Sequence, residues 1–106
     1  MESKTEVEVI IILNNGHTCP LAFLNRVEKD MLFIAPGVPQ GVPLTVKQLS
    51  CQEYYATLSD WNKTLAGSCM IHLVEHGLVP FEYVPRTGRN PYPLQYSIKD
   101  SYTPNL

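Results

Sequence analysis

Ser50 to Gly67, SCQEYYATLSDWNKTLAG, is the stretch whose reading decides the fold. Ser50 followed three residues later by Glu53 is a capping-box pattern. In it the serine hydroxyl accepts from the Glu53 backbone N–H, and the Glu53 carboxylate reaches back to the serine N–H. Advancing about 100° per residue, Cys51, Tyr54, Leu58, Trp61 and Leu65 fall within a stripe roughly 80° wide, with Tyr55 at its edge. Glu53, Thr57, Asp60, Lys63 and Thr64 take the other side, where Asp60 and Lys63 are an i,i+3 pair of opposite charge. Gly67 suits the left-handed residue that ends a helix. The stretch therefore predicts one helix whose aromatic stripe, Trp61 included, is its core face. An aromatic recognition surface is the sharper alternative.

Upstream, Thr5 to Leu13 (TEVEVIIIL) alternates at its start and then closes into an apolar, β-branched run, the pattern of a strand that becomes buried. Asn14-Asn15-Gly16 is a hairpin-turn signal. Leu21 to Val27 reads as the returning strand, with Pro20 at its beginning because proline cannot donate to a ladder. Glu28-Lys29-Asp30 reads as a charged turn and Met31 to Ala35 as a third strand. Pro36 to Pro43 (PGVPQGVP) repeats Gly-Val-Pro, and each valine before a proline is pushed toward extended geometry. It reads as a semi-rigid crossover from sheet to helix, with Val38 and Val42 as candidate contact residues.

Downstream, Ser68 to His76 reads as a second, short helix, with a strand as the alternative. It gathers Met70, Ile71, Leu73 and Val74 on one side and Cys69, His72, Glu75 and His76 on the other. Running the first helix through Gly67 would turn His72 and His76 into the buried stripe, so the break is expected at Gly67. Gly77 and Pro80 follow as stop signals. Val79 to Val84 and Leu94 to Lys99 alternate and read as strands, joined through Pro85 to Pro93 (PRTGRNPYP). Residues 100–106 read as a frayed tail. The predicted order is β-β-β-α-α-β-β. That is a single α+β domain over residues 1–106, with an antiparallel sheet of about five strands and one long and one short helix on one face.

Composition narrows the function classes. With 106 residues, 44% of them apolar and 17% charged, the chain has room for one self-sufficient core. A net charge of −2 and a pI near 5.8 count against nucleic-acid binding through the overall field. The polar, acidic start lacks the pattern of a secretory signal, and the run Val9 to Leu13 is too short to span a bilayer. Cys19, Cys51 and Cys69, an odd and widely spaced set, fit free thiols, and a cytoplasmic setting is the expectation. Asn62-Lys63-Thr64 matches a glycosylation sequon but falls within the predicted helix, and is discarded.

Three candidate sites stand out. Cys69, His72 and His76 have a C-x2-H-x3-H spacing that shares one helical face, to which His17 or Cys19 could add a further zinc ligand. The paired half typical of a structural zinc site is missing, so no metal or other cofactor is assigned. A cysteine nucleophile with a histidine base is a second use of the same residues. Against it, Cys51 falls on the apolar stripe and reads as an inert core thiol, while Cys19 beside the turn is the more exposed sulfur. Arg86-Thr87-Gly88-Arg89 is the only local basic cluster, suited to a phosphate or carboxylate, and Tyr92 adds an aromatic to the same loop. No dinucleotide fingerprint, phosphate loop or serine elbow accompanies these.

The function expected from the sequence is a non-enzymatic binding protein, a regulator or inhibitor acting by protein–protein contact through Val38, Val42, Arg86, Arg89 and Tyr92. Small stand-alone domains of this kind include phage and mobile-element accessory proteins. The alternative is a binder of a small anionic or nucleotide-like ligand at the Arg86–Arg89 loop, acting as a homodimer. Edge pairing of the meander offers a route to that dimer.

Overall fold

The computed structural model describes residues 9–84 and 94–103. Strand β1 (Ile10–Ile12) pairs antiparallel with β2 (Thr18–Pro20), Ile11 opposite Cys19. Gly16, at φ 90°, turns the chain between them, a conformation open to glycine and costly for a side chain. Of the predicted strand 5–13, the part before residue 9 lies outside the described residues.

Pro20 closes β2 and caps the next element, which is a helix and not a strand. Helix α1 (Leu21–Ile34) buries Leu24, Val27 and Met31 on one face. The expected strands at 21–27 and 31–35 are therefore one helix, and the three-stranded meander reduces to a hairpin. The reason is periodicity. The apolar residues recur at three- and four-residue intervals over fourteen positions, a signal that outweighs a brief alternation within it. Glu28-Lys29-Asp30 is part of that helix, and Arg26 donates to both Asp30 oxygens at 3.1 Å across one turn. A 3-10 turn, Ala35–Gly37, ends it.

The predicted helix 50–67 is corrected most. Helix α2 (Val46–Leu49) opens on a capping box: Thr45 Oγ1 accepts from the Gln48 N–H at 3.2 Å, and the Gln48 side chain accepts from the Thr45 N–H at 2.9 Å. Ser50 ends α2, its hydroxyl donating to the Val46 carbonyl, so no Ser50–Glu53 capping box forms. Helix α3 (Gln52–Ala56) follows, then three residues, then α4 (Asp60–Glu75), which opens on Ser59 Oγ accepting from the Asn62 N–H at 3.1 Å. Gly67 lies inside α4, and the predicted second helix is its C-terminal half.

A glycine within a helix costs about 1 kcal/mol relative to alanine. Burial of Leu65, Ala66, Cys69, Met70 and Leu73 on both sides of it outweighs that cost. The left-handed residue is Gly77 instead, at φ 69°. Gly77 N–H donates to the Val74 carbonyl and Leu78 N–H to the Leu73 carbonyl, a Schellman ending.

Strands β3 (Phe81–Tyr83) and β4 (Tyr96–Ile98) pair antiparallel as expected, with Phe81 opposite Ile98 and Tyr83 opposite Tyr96. Leu44 adds an isolated antiparallel bridge to Tyr96. The described residues thus form a compact α+β fold with four α-helices and two two-stranded antiparallel sheets, in place of one five-stranded sheet. One core cluster joins Met31, Leu49, Met70, Leu73, Phe81, Tyr96 and Ile98, so α4 packs against α1, α2 and β3. Among the described residues no helix is long and apolar enough to cross a membrane.

Candidate functional site: the open face of helix α4

Because residues 65–73 set the phase of α4, its outward stripe consists of Asp60, Lys63, Thr64, Gly67 and Ile71, within roughly 100° of arc. None of the five is buried. Next to this stripe lies a cleft of about 540 Å³. Its walls include Lys63, Thr64 and Gly67 of α4, Thr45 and Lys47 at the start of α2, and Leu94 beside β4. The Leu44–Tyr96 bridge explains the convergence, since it holds the entry to α2 against β4.

The polar groups in the cleft are cationic and hydroxylic. Lys63 Nζ stands 5.5 Å from the centroid of the Tyr55 ring, which also lines the cleft. Thr64 Oγ1 donates back to the Asp60 carbonyl at 3.2 Å. A Cβ placed on Gly67 would meet nothing within 4 Å, so the glycine is not demanded by internal packing. Asp60, in the first turn, is the one acid of the stripe.

The opposite flank of α4 is covered by the β1–β2 hairpin. Asn15 Nδ2 donates to Ser68 Oγ at 2.7 Å, and the His17 ring tilts against Trp61 at 5.4 Å. Asn14 Nδ2 donates to Glu75 Oε1, and His76 Nε2 meets Asn14 Oδ1 at 3.0 Å. Tyr83 OH donates to Glu75 Oε2 at 2.9 Å. The Asn14 bond, followed by that from Tyr83, holds the Glu75 carboxyl below its ordinary range. Desolvation, reinforced by the Glu75 carboxylate that its hydroxyl serves, pushes Tyr83 up to about 12. The His72 and His76 rings lie 4.3 Å apart, tilted by 34°, and burial, with the neighbouring His76 charge, lowers the His72 pKa.

The sequence-predicted residues are placed unevenly. Cys69 turns to Cys19, with sulfurs 3.6 Å apart, while His76 turns to Asn14, so Cys69, His72 and His76 do not converge. Among the described residues no group of three or more His, Cys, Asp or Glu side chains is arranged to hold a metal. The thiols are reversed from expectation: Cys51 is exposed, and Cys19 is buried with Cys69. Trp61, expected in the core, is 56% exposed, in the first turn of α4 beside the His17 ring. Val38 packs against the core and Val42 stays at the surface. Arg86, Arg89 and Tyr92 lie outside the described residues, in the connection from β3 to β4.

Sequence reasoning missed Thr45, Lys47, Gly67 and Leu94. Two signals point to them: the Thr45-x-x-Gln48 capping box and the N-cap serine at 59. No family model, curated protein or solved structure matches this chain.

Proposed function

We propose that this chain is a DNA-binding protein that presents the outward stripe of α4 to the major groove of a duplex. The observation that carries the reading is the cleft-lining stripe of α4, exposed at Asp60 and Thr64 and half-buried at Lys63, Gly67 and Ile71, in its setting. Helices α3 and α4 are joined by the three-residue turn 57–59, and a two-stranded ribbon follows. That order resembles a helix-turn-helix followed by a β-ribbon wing, an arrangement in which the second helix enters the groove and its N-terminal residues meet base edges. The likeness is architectural, so the chemistry has to be argued from the cleft.

Lys63 offers a donor and Thr64 Oγ1 an acceptor to base edges, and Lys47 offers a phosphate contact from the flank. The β3–β4 connection also carries Arg86 and Arg89, the chain's one basic cluster in sequence, which lie outside the described residues. The net charge of −2 gives no long-range pull, so Lys47 and Lys63 in the cleft supply the phosphate-directed attraction. Two neutralised phosphates correspond to a slope of about −1.8 in log K against log salt. Fluorescence anisotropy with a random-sequence duplex, read from about 50 to 200 mM salt, tests this. Saturable binding with that slope supports the reading, and no binding at the lowest salt refutes it.

A second reading is a regulator or inhibitor that works by protein–protein contact. It is favoured by a separate observation: Phe33 is 87% and Leu32 46% exposed near the end of α1, and neither is among the cleft-lining residues.

A further inference from the structure

We propose that Cys19 and Cys69 form a reversible dithiol–disulfide pair, an oxidative modification site that locks the β1–β2 hairpin onto the middle of α4. The two sulfurs lie 3.6 Å apart although their residues are 50 positions apart in the chain. Both side chains are fully buried, whereas Cys51 is exposed. A disulfide needs a sulfur separation of about 2.05 Å, so the pair must close by roughly 1.5 Å. The approach is aligned from both sides. Asn15 holds Ser68, the residue before Cys69, at 2.7 Å, and Asn14 holds Glu75 further along the same helix.

The oxidant that fits a buried pair is small, and hydrogen peroxide meets that requirement. Cys19 sulfur attacks one peroxide oxygen and the O–O bond breaks. The departing hydroxide takes the Cys19 thiol proton and leaves as water, with a sulfenic acid on Cys19. Cys69 sulfur then attacks Cys19 sulfur and the S–O bond breaks. The second hydroxide takes the Cys69 proton, giving a disulfide and two waters in all. A dithiol reductant reverses the reaction by exchange. Burial raises the pKa of both thiols, Cys69 strongly, which makes Cys19 the first nucleophile. Oxidation is therefore slow and follows opening of the hairpin. The site holds whatever the α4 stripe binds.

The test uses Cys51→Ser, which removes the exposed thiol that would otherwise link chains. After peroxide and then alkylation in denaturant, the expected result is loss of both remaining thiols together. Intact mass should show loss of two hydrogens, a higher melting temperature should follow, and dithiothreitol should reverse all three. Peptide mapping of oxidised wild type should recover a Cys19–Cys69 linkage, an independent readout should the variant misbehave. Two thiols that persist, mass gains of oxygen without loss of hydrogen, or disulfides only between chains would each overturn the proposal.

Discussion

Leu44 and Tyr96 exchange two main-chain hydrogen bonds, Leu44 N–H to the Tyr96 carbonyl at 2.9 Å and Tyr96 N–H to the Leu44 carbonyl at 2.7 Å. This short bridge fixes the β3–β4 ribbon to the entrance of α2, and the cleft beside α4 exists because of it. Tyr96 is also fully buried, between the ring of Tyr83 at 5.6 Å and the core. Tyr96→Ala should therefore cost about 3–5 kcal/mol in urea unfolding. A loss under about 1 kcal/mol would show that the ribbon is not part of the cooperative core.

The cations of the cleft should act on DNA and not on folding. Lys47→Ala and Lys63→Ala should each weaken duplex binding and each reduce the salt slope by about 1. Their unfolding free energies should stay within about 0.5 kcal/mol of wild type, as for surface positions. Equal loss of stability and binding would point to misfolding and not to a contact.

Gly67 separates stability from function. Its φ is not positive and its missing Cβ would meet nothing, so Gly67→Ala should stabilise the helix by about 1 kcal/mol. The added methyl stands on the stripe facing the groove, so the same variant should bind DNA more weakly. Unchanged DNA affinity would remove Gly67 from the contact surface.

Acidification should weaken the fold in two steps. Desolvation, then the neighbouring His76 charge, lower the His72 pKa in the folded state. The unfolded chain thus binds more protons as pH falls through about 6.5, and stability must drop there. Glu75 is depressed by Asn14 and then Tyr83, so its contribution is present above the ordinary carboxylate range and is lost as pH falls through the folded pKa. Urea midpoints for His72→Gln should lose the first step and keep the second. Asn14→Ala should shrink the second. A wild-type midpoint flat from pH 7 to about 5 would contradict the His72 assignment.

Much of this was legible in the sequence where local chemistry decides, and little where tertiary burial does. Asn15-Gly16 marked the first hairpin, and the alternation of residues 79–84 and 94–99 marked the ribbon. The error at 21–35 came from taking Pro20 as a strand start, when proline serves equally well ahead of a helix. The error at 50–67 came from treating Gly67 as a stop. Either helix phase buries apolar groups locally, and only packing against α1 and β3 selects the one that buries Leu65, Cys69, Met70 and Leu73. The cleft was illegible because Thr45, Lys63 and Leu94 come from three separate elements.

The measurement that tests the central claim most directly is an amide NMR titration of the intact chain with a duplex oligonucleotide at low salt. The account predicts shifts concentrated at Asp60–Gly67 of α4, at Thr45–Lys47 and at Leu94, with the β1–β2 hairpin and the Leu32–Phe33 end of α1 unmoved. Shifts confined to the hairpin or to that end of α1, or none at saturating duplex, would contradict it.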